Sequence, residues 1–333
     1  MSAMNTTQET IARRLGISRR SVSYALNGNG RVSEGMRLRV LELAEELNHQ
    51  PNQAARTLAT GRSHIVALRL PGLDSPYNMR VLATLQRLTE AAGYDLVVKD
   101  SYASRPSQWP LDGCIALDPM THEQSERNSQ GIPEVALGCY AHQAAPDADY
   151  IGCDLFSGAQ QAFDHLWDAG CRRIAFFSEK SLIREGEPRL LTYRSRTGQH
   201  GVKAEEIILP SQVRFQFSSC QMLHGYIQEH GAPDGLLCLN DDVAMGACRA
   251  LRKLGLDVPS QVKVVGCDGT AEAGDHEPPL STVEFPYEEM CHRAWKALLN
   301  RIEHPDVEPQ RSLLQPSFII RASSRKEPLQ GTS

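Results

Sequence analysis

The 333-residue sequence lacks both the cysteine spacing of a metal finger and the even cysteine set of a secreted disulfide framework. Its nine cysteines are odd in number and include no Cys-x-x-Cys pair. Most of them lie in apolar runs such as 236–239, where a thiol packs as a small hydrophobic group. We therefore expect buried, reduced thiols, no bound metal and a reducing, cytoplasmic compartment.

Long apolar segments are also missing. No run approaches the roughly 18 apolar residues that a membrane helix needs. The first six residues do not provide the basic stretch and apolar core that mark a secretion signal. The sequence therefore predicts neither membrane association nor export.

Signatures of catalysis are absent as well. Asp154, Asp241, Asp242 and Asp268 could be read as a hydrolase cluster, but no nucleophile elbow, phosphate-binding loop or His-x-x-x-His pair accompanies them. We expect a protein that is not an enzyme and needs no cofactor.

What is present is an uneven distribution of charge. Residues 1–41 contain seven arginines against two glutamates, a formal balance of +5, whereas the whole chain has a net charge of −5. A cationic end on an acidic body is typical of a polyanion-binding module attached to another domain. The length itself favours two or three domains.

The cationic end has the pattern of a helix-turn-helix. Thr6 and Glu9 form a capping box, Gly16 can end the first helix, and Ser18 can cap a second. The three-residue turn fixes the crossing of the two helices. A third helix after Ser33 closes the core with residues at helical spacing, namely Met36, Val40, Leu43, Ala44 and Leu47.

The second helix then projects Arg19, Arg20 and Ser21 outward, where they can reach base edges in a major groove. An arginine bound through two hydrogen bonds to guanine gives about 1–3 kcal/mol of discrimination. The alternative is that these arginines contact only phosphate or water. Ser23 and Tyr24 can contact phosphate or base, and Tyr24 can instead pack against the third helix.

A short linker follows. Pro51 breaks the third helix, and residues 53–59 are too few for a helix that is stable on its own in water. We expect this segment to order only against DNA or a partner copy.

From residue 62 the chain alternates short apolar runs with amphipathic helices, which predicts parallel sheets covered by helices. Two of the predicted helices run from Val81 to Ala92 and from Gly158 to Ala169. Its length favours two α/β lobes with a cleft. Asp154, Asn240, Asp241 and Asp268 follow predicted strands, at the sheet edge where ligands bind in open α/β folds. Asp154 and Asp241 can alternatively cap the helices that follow them.

These residues resemble the lactose-repressor (LacI/GalR) family of regulators along almost the whole chain. The motifs that carry the resemblance in the first part are Ile11-Ala12, Leu15 to Ser18, Ser21 to Ser23, Leu26 to Gly28, Val32-Ser33 and Pro51 to Arg56. In the body they are Tyr150 to Asp154, His165-Leu166, Gly170 to Ala175, Asn240-Asp241, Ala244 to Ala247, Val265 to Asp268, Pro279 to Val283 and Ile320 to Ser324.

The resemblance implies an all-α helix-turn-helix headpiece over residues 1–50 and a hinge over 51–62. A two-lobed α/β domain of the type-I periplasmic-binding-protein kind, which binds effector and dimerises, follows over 63–325, with a tail over 326–333. In that family a hinge leucine wedges into the DNA minor groove, a position that Leu58 occupies here, with Ala55 allowing close approach. The alternative for Leu58 is that it packs on the body. The expected DNA contacts are Thr7, Ser18, Arg19, Arg20, Ser21, Ser23, Tyr24, Asn27, Asn52, Ala55 and Leu58.

The expected effector contacts are Tyr77, Asp154, Arg189, Asn240 and Asp268. Arg189 and Tyr77 enter by resemblance, as an arginine that pairs with the effector and an aromatic ring that lies against a sugar face. Four features depart from the family pattern. They are Tyr24 in place of arginine, Thr192 in place of glycine, Gly269 in place of a second aspartate, and a short connection over 99–110 that leaves out one helix.

The sequence thus predicts a transcription regulator, a repressor, that acts in the cytoplasm on the nucleoid. It binds a near-palindromic double-stranded operator as a homodimer, under control of a small polar effector such as a sugar or sugar derivative. Two alternatives are a sugar-binding receptor without regulatory DNA binding and a regulator that has lost its effector response.

Overall fold

The computed structural model describes residues 8–27, 32–47, 57, 61–73, 75–101, 110–117, 131–139, 148–180, 186–210 and 215–325. The chain divides into two compact units, Met1–Ser63 and His64–Ser333. Four residues expected to contact DNA, namely Thr7, Asn52, Ala55 and Leu58, lie outside the described residues, as do most of the hinge and the tail from 326.

The described residues of the first unit form helices α1 (Gln8–Leu15), α2 (Arg19–Asn27) and α3 (Glu34–Glu46). Gly16 takes a left-handed conformation with φ 63° at the turn between α1 and α2, as the sequence predicts. The core is made of small and branched side chains from all three helices, namely Ile11, Ala12, Val22, Ala25, Val40 and Ala44. The helix-turn-helix prediction is therefore confirmed.

In the second unit, the part of the chain that the structure describes forms two six-stranded sheets. The strands of the first sheet are β1 (Ile65–Leu70), β2 (Asp95–Asp100), β3 (Gly113–Leu117), β4 (Glu134–Gly138), β5 (Asp149–Cys153) and β11 (Arg311–Leu314). They run parallel in the order β11-β5-β4-β3-β1-β2. Two helices, α4 (Pro76–Ala91) and α10 (Tyr287–Glu303), pack together against this sheet. We call this part the first lobe.

The second lobe is built on the other sheet. Its strands are β6 (Ile174–Glu179), β7 (Glu205–Leu209), β8 (Gly235–Cys238), β9 (Lys263–Asp268), β10 (Ser281–Glu284) and β12 (Ser317–Ile319). Their order is β12-β10-β9-β8-β6-β7, with only β12 antiparallel among the described strands. Its helices are α5 (Leu155–Asp168), α6 (Pro188–Gln199), α7 (Phe215–His230), α8 (Asp241–Lys253) and α9 (Ala271–Asp275).

The described strands cross between the lobes three times, after β5, after β10 and after β11. This confirms the predicted fold class, an α-helical headpiece and a two-lobed α/β domain. Strand β2 ends at Asp100 and β3 begins at Gly113. Residues 102–109 between them lie outside the described residues, so the expectation that this connection leaves out one helix stays a prediction.

Helix starts are where the sequence prediction was least accurate. Helix α4 was expected from Val81 but begins at Pro76, because proline at the first helical position brings a fixed φ and no unpaired N–H. Helix α5 was expected from Gly158 but begins at Leu155, because Asp154 accepts a hydrogen bond from the Ser157 N–H.

All nine cysteines are free and buried, as predicted. Burial raises the pKa of several of these thiols, to about 12 for Cys114 and Cys153, because the thiolate would lose its hydration. Among the described residues, no helix is both long and apolar enough to cross a membrane.

Candidate functional site

The start of α2 presents the side chains that the sequence assigns to DNA. Ser18 Oγ accepts a hydrogen bond from the Ser21 N–H at 3.0 Å, so Ser18 caps this helix as predicted. Arg19 and Arg20 are exposed. Val22, in the same helix, is fully buried in the three-helix core, which fixes how the helix is turned.

Tyr24 contacts Arg20. Its hydroxyl accepts a hydrogen bond from Arg20 Nε at 2.7 Å, and the guanidinium carbon lies 5.4 Å from the centre of the tyrosine ring. Arg20 and Tyr24 are one helical turn apart, which allows both a hydrogen bond and a cation–π contact between them. The tyrosine that departs from the family pattern therefore orients a neighbouring arginine. Ser23 is half-buried, and Asn27 is the last residue of α2.

The carboxyl edges of the two sheets meet in the second unit. Helix α4 follows the carboxyl end of β1, and its Arg80 donates to the Gly269 carbonyl at 2.8 Å, just beyond β9. The Arg80 guanidinium lies 4.4 Å from the centre of the Tyr287 ring. Tyr77, one turn before Arg80, contacts Tyr287 with ring centres 5.5 Å apart. We call the space between the two edges the crevice.

Asp268 stands at the lip of this crevice. It ends β9 with φ 114°, a conformation that is uncommon for a residue with a side chain. Its carbonyl accepts a hydrogen bond from the Tyr287 hydroxyl at 2.5 Å. Tyr287 in turn touches Tyr77, so two of the predicted effector residues are joined through one aromatic ring. Burial raises the pKa of Tyr287, which keeps the phenol protonated.

Gly269 follows Asp268 where the family carries a second aspartate. It has φ 73°, and a Cβ at this position would lie 2.7 Å from Glu284 Cα. That distance is shorter than real side chains adopt, so this backbone accepts only glycine without rearrangement. The departure seen in the sequence is therefore matched by the local geometry.

Arg189 lies deep in the second lobe and is only 8% exposed. Its Nε donates to Glu187 Oε1 at 2.7 Å, and its Nη1 donates to the Leu239 carbonyl at 2.6 Å. The same Nη1 is 3.9 Å from Cys267 Sγ. Glu187 is 1% exposed, and its other oxygen accepts from the Leu190 N–H at 2.7 Å, which caps α6. We call this group the Arg189 corner.

Asn240, and not Asp241, caps the helix that follows β8. Asn240 caps α8 by accepting from the Val243 N–H at 2.9 Å, so the proposal that Asp241 is the cap is wrong. Asp241 is fully buried and accepts from Thr270 N and Oγ1, at 2.8 and 3.1 Å, and from Thr282 Oγ1 at 2.6 Å. Burial raises its pKa to about 6. Its role is to tie β10 to the segment after β9.

Asp154 caps α5, as the alternative interpretation of the sequence predicts. Besides Ser157, its side chain accepts from Gln315 Nε2 at 3.3 Å. Its described contacts are therefore within the segments that cross between the lobes. The other expected effector residues lie on elements that border the crevice or at the end of a strand of the second sheet. They are Tyr77, Arg189, Asn240 and Asp268.

Sequence reasoning missed Glu187, Tyr287 and the network of Asp241. The Glu187-Pro188 pair was a usable signal, since an acceptor side chain before a proline favours a helix start. No metal-binding group of three or more His, Cys, Asp or Glu is found in the part of the chain that the structure describes.

Comparison with known proteins matches each unit separately. Residues 8–52 match the model for bacterial regulatory proteins of the lacI family, and residues 163–324 match a periplasmic binding protein-like domain. The chain is 27% identical over 333 residues to the ribose operon repressor of Escherichia coli (strain K12), which covers 96% of this chain and 99% of that protein. It is 28% identical over 335 residues to the HTH-type transcriptional regulator CelR of Thermobifida fusca, which covers 95% of this chain and 98% of that protein.

Solved structures agree with the fold. The lac repressor dimer bound to operator and the anti-inducer ONPF aligns with a TM-score of 0.82 at 21% identity, over 96% of this chain and 99% of that chain. The CelR–cellobiose complex aligns with a TM-score of 0.68 at 24% identity, over 96% and 99% respectively. With one family match in each unit and relatives along nearly its full length, the chain combines a lacI-family helix-turn-helix domain with a periplasmic binding protein-like domain.

Proposed function

We propose that this protein is a transcription regulator, a repressor, that binds a near-palindromic operator as a homodimer. The observation that carries the proposal is the start of α2, where Arg19 and Arg20 are exposed on a helix whose opposite side is locked into a three-helix core. A rigid mount of this kind places side chains at base edges of the major groove, while phosphate contacts supply most of the affinity.

The remaining DNA contacts belong to the same proposal. Ser18, Ser21, Ser23, Tyr24 and Asn27 lie on or next to α2 and accompany the arginines. In the hinge, over 51–62, Asn52, Ala55 and Leu58 order on the DNA together with the partner copy, and Leu58 enters the minor groove. Thr7 is a further proposed DNA contact. The two headpieces of a dimer then read two half-sites of a pseudo-palindrome.

The effector is a small polar molecule bound in the crevice, with a sugar or sugar derivative as the proposed class. The relatives include a ribose operon repressor and a regulator whose structure is a complex with cellobiose. Tyr77, Asp154, Arg189, Asn240 and Asp268 are the proposed contacts. By linkage, such a ligand changes DNA affinity only as far as it binds the DNA-competent and DNA-incompetent states differently.

The relatives reported above are named as regulators, and we infer that this protein likewise acts without catalysis. Its place of action is the cytoplasm, on the nucleoid, since operator DNA is its partner. Its domains are the headpiece over 1–50, the hinge over 51–62, the effector-binding and dimerisation domain over 63–325 and the tail over 326–333.

The proposal is tested by selection of bound duplexes from a random library with the full-length protein at moderate ionic strength. Sequencing should reveal one enriched site made of two inverted half-sites. If no duplex is enriched over the starting library, the protein is not a sequence-specific regulator.

Salt provides a second readout. An interface that neutralises several phosphates releases counterions, so operator affinity should fall by roughly 10³-fold or more between 50 and 200 mM salt. Fluorescence anisotropy with the selected operator measures this slope. Affinity that is independent of salt would contradict the proposed interface.

A further inference from the structure

We propose that the Arg189 corner makes the effector site electrically neutral, so that it binds an uncharged polyhydroxylated molecule and rejects sugar acids and sugar phosphates. The inference names the ligand class of the site proposed above and rests on that assignment. It concerns ligand binding only, and its test does not depend on DNA binding.

The Arg189 corner contains one positive and one negative side chain. Arg189 is the buried cation next to the carboxyl edge of the second sheet, and the Glu187 carboxylate lies 2.7 Å from its Nε. Both side chains are at least nine-tenths buried, so water screens their attraction little. A bound anion would have to compete with Glu187 for the same guanidinium. The pair therefore offers no net positive charge to a carboxylate or phosphate.

The protein itself holds Glu187 in place. One carboxylate oxygen accepts from Arg189 and the other from the Leu190 N–H, so the side chain is fixed at both oxygens. An anionic ligand that displaced it would leave a buried carboxylate and the start of α6 without their partners. Such unpaired buried groups are costly, which opposes the exchange.

Other charged side chains also border the crevice. Arg80 donates to the Gly269 carbonyl and covers Tyr287, and Asp268 precedes Gly269. At the same sheet edge Lys180 follows the buried Glu179 at the end of β6, and Asp241 adds a buried acidic group. The sum of these described charges is neutral or negative, which again disfavours an anionic ligand.

The second lobe also contains a buried serine hydroxyl group without a hydrogen-bond partner among the described residues. Ser178, near the carboxyl end of β6, is completely buried, and its Oγ has no hydrogen-bond partner among the described residues. Side chains two residues apart in a strand lie on the same face of the sheet. Phe176 stacks on Tyr193 of α6 with ring centres 5.5 Å apart, so Ser178 also lies on the face that α6 covers. This is also the face of Arg189.

Ser178 is close to the corner along the sheet. Strand β6 pairs with β8, and the Leu239 carbonyl that Arg189 binds directly follows β8. Neighbouring strands are about 4.8 Å apart, so Ser178 lies one strand spacing away from the carbonyl that the Arg189 guanidinium binds. A hydroxyl both donates and accepts, which matches the hydroxyls of a neutral sugar. An unsatisfied buried hydroxyl gains a bond when such a ligand enters.

The test compares matched ligands on the full-length protein by isothermal titration calorimetry. The probes are three pairs that differ by a carboxylate or phosphate, namely glucose with glucuronate, galactose with galacturonate, and ribose with ribose 5-phosphate. We expect at least one neutral member to bind, and its charged counterpart to bind at least about tenfold more weakly.

Two variants and a control locate the effect. E187Q keeps an oxygen that can cap α6 but removes the charge, so it should narrow the gap between neutral and charged probes by about tenfold. E206Q, which breaks the exposed pair of Glu206 with Arg194, should leave the gap unchanged. S178A should weaken the neutral sugar while the ligand-free protein unfolds at an unchanged or higher temperature. That combination separates a ligand contact from a structural role.

The proposal is overturned if the charged probe of any pair binds as tightly as the neutral one, if none of the neutral probes binds, if E187Q leaves the gap between neutral and charged probes unchanged, or if S178A leaves the affinity for the neutral sugar unchanged. Should E187Q fail to fold, S178A alone decides. Failure of the proposed function is recognised separately, as the absence of any selected DNA site.

Discussion

Arg20 is held by a hydrogen bond and a ring contact with Tyr24, one turn further along α2. An exposed arginine normally samples many rotamers, and fixing it before it meets DNA lowers the entropy lost on binding. Tyr24 therefore contributes by positioning Arg20, a role that differs from that of the arginine in the family. The operator preference of this protein should accordingly differ from those of relatives that carry arginine there.

His165 is a second residue with a clear physical role. Its Nε2 lies 3.0 Å from the Ser324 carbonyl and 2.8 Å from the Ser324 hydroxyl, which ties the end of the described chain to α5. Burial lowers the pKa of this imidazole from its ordinary 6.5, although Ser324 and Asp168 oppose the effect. The ring is therefore neutral in the folded protein at neutral pH.

This predicts a loss of stability on acidification. As pH falls below 6.5, the unfolded chain takes up a proton at His165 that the folded chain still refuses, so protonation favours unfolding. The advantage of the wild type over H165Q in free energy of unfolding should shrink as the pH is lowered from 7.5 to 5. Urea unfolding at several pH values measures it, with H292Q on the exposed face of α10 as the control. A wild-type advantage that is constant over this range would rule the explanation out.

At the scale of elements, the contact of α7 with α8 depends on a glycine. A Cβ at Gly246 of α8 would overlap Ser219 Oγ and lie 2.5 Å from the Gln216 carbonyl oxygen. Ser219 is fully buried and donates to the Phe215 carbonyl at 2.6 Å, so it has little freedom to move aside. The two helices approach as closely as they do because no side chain stands between them.

G246A should therefore destabilise the second unit by about 1–3 kcal/mol, because the helices must separate to admit a methyl group. G225A is a matched control, since Gly225 of α7 has nothing within 4 Å of its Cβ position. It should be neutral or stabilising by up to about 1 kcal/mol, through better helix propensity. Chemical unfolding compares the two variants. Equal effects would show that the close approach of α7 and α8 is not what makes Gly246 necessary.

The headpiece was largely predictable because its signals are local. Gly16 for the turn, Ser18 for the cap and Val40 for the core each act within a few residues, and all three hold in the structure. The alternation of the body predicted two α/β lobes for the same reason. Starts of α4 and α5 were missed because a proline and a capping aspartate, not apolar periodicity, decide them.

The crevice was less predictable because it depends on which strands become neighbours. Arg189 was expected at the effector site, but nothing local shows that the Leu239 carbonyl, 50 residues away, accepts from it. Nor does the sequence show that Ser178 is left without a partner, which depends on every element packed around it. The residues that follow strands could be identified from the sequence, because ligands bind beyond the carboxyl ends of strands. The hydrogen-bond partners of those residues could not, because they depend on which strands are neighbours in the fold.

At the scale of the whole molecule, the chain combines a cationic unit with an acidic one. The arginines of residues 1–41 favour a polyanion, and the acidic remainder disfavours non-specific contact of the body with DNA. A two-lobed unit with a crevice between its sheet edges is suited to two conformations that differ in closure. Coupling then requires only that closure changes how the headpieces are presented.

The central claim is that Arg19 and Arg20 read bases instead of only adding positive charge. The direct test measures the affinity of R19A/R20A for the selected operator and for random duplex, beside R13A/R14A, which removes two exposed arginines of α1. We predict that R19A/R20A loses about 1–3 kcal/mol or more of operator binding beyond its loss on random duplex, whereas R13A/R14A weakens both alike. If the two double variants weaken operator and random duplex by the same factor, the arginines of α2 do not read sequence and the account is wrong.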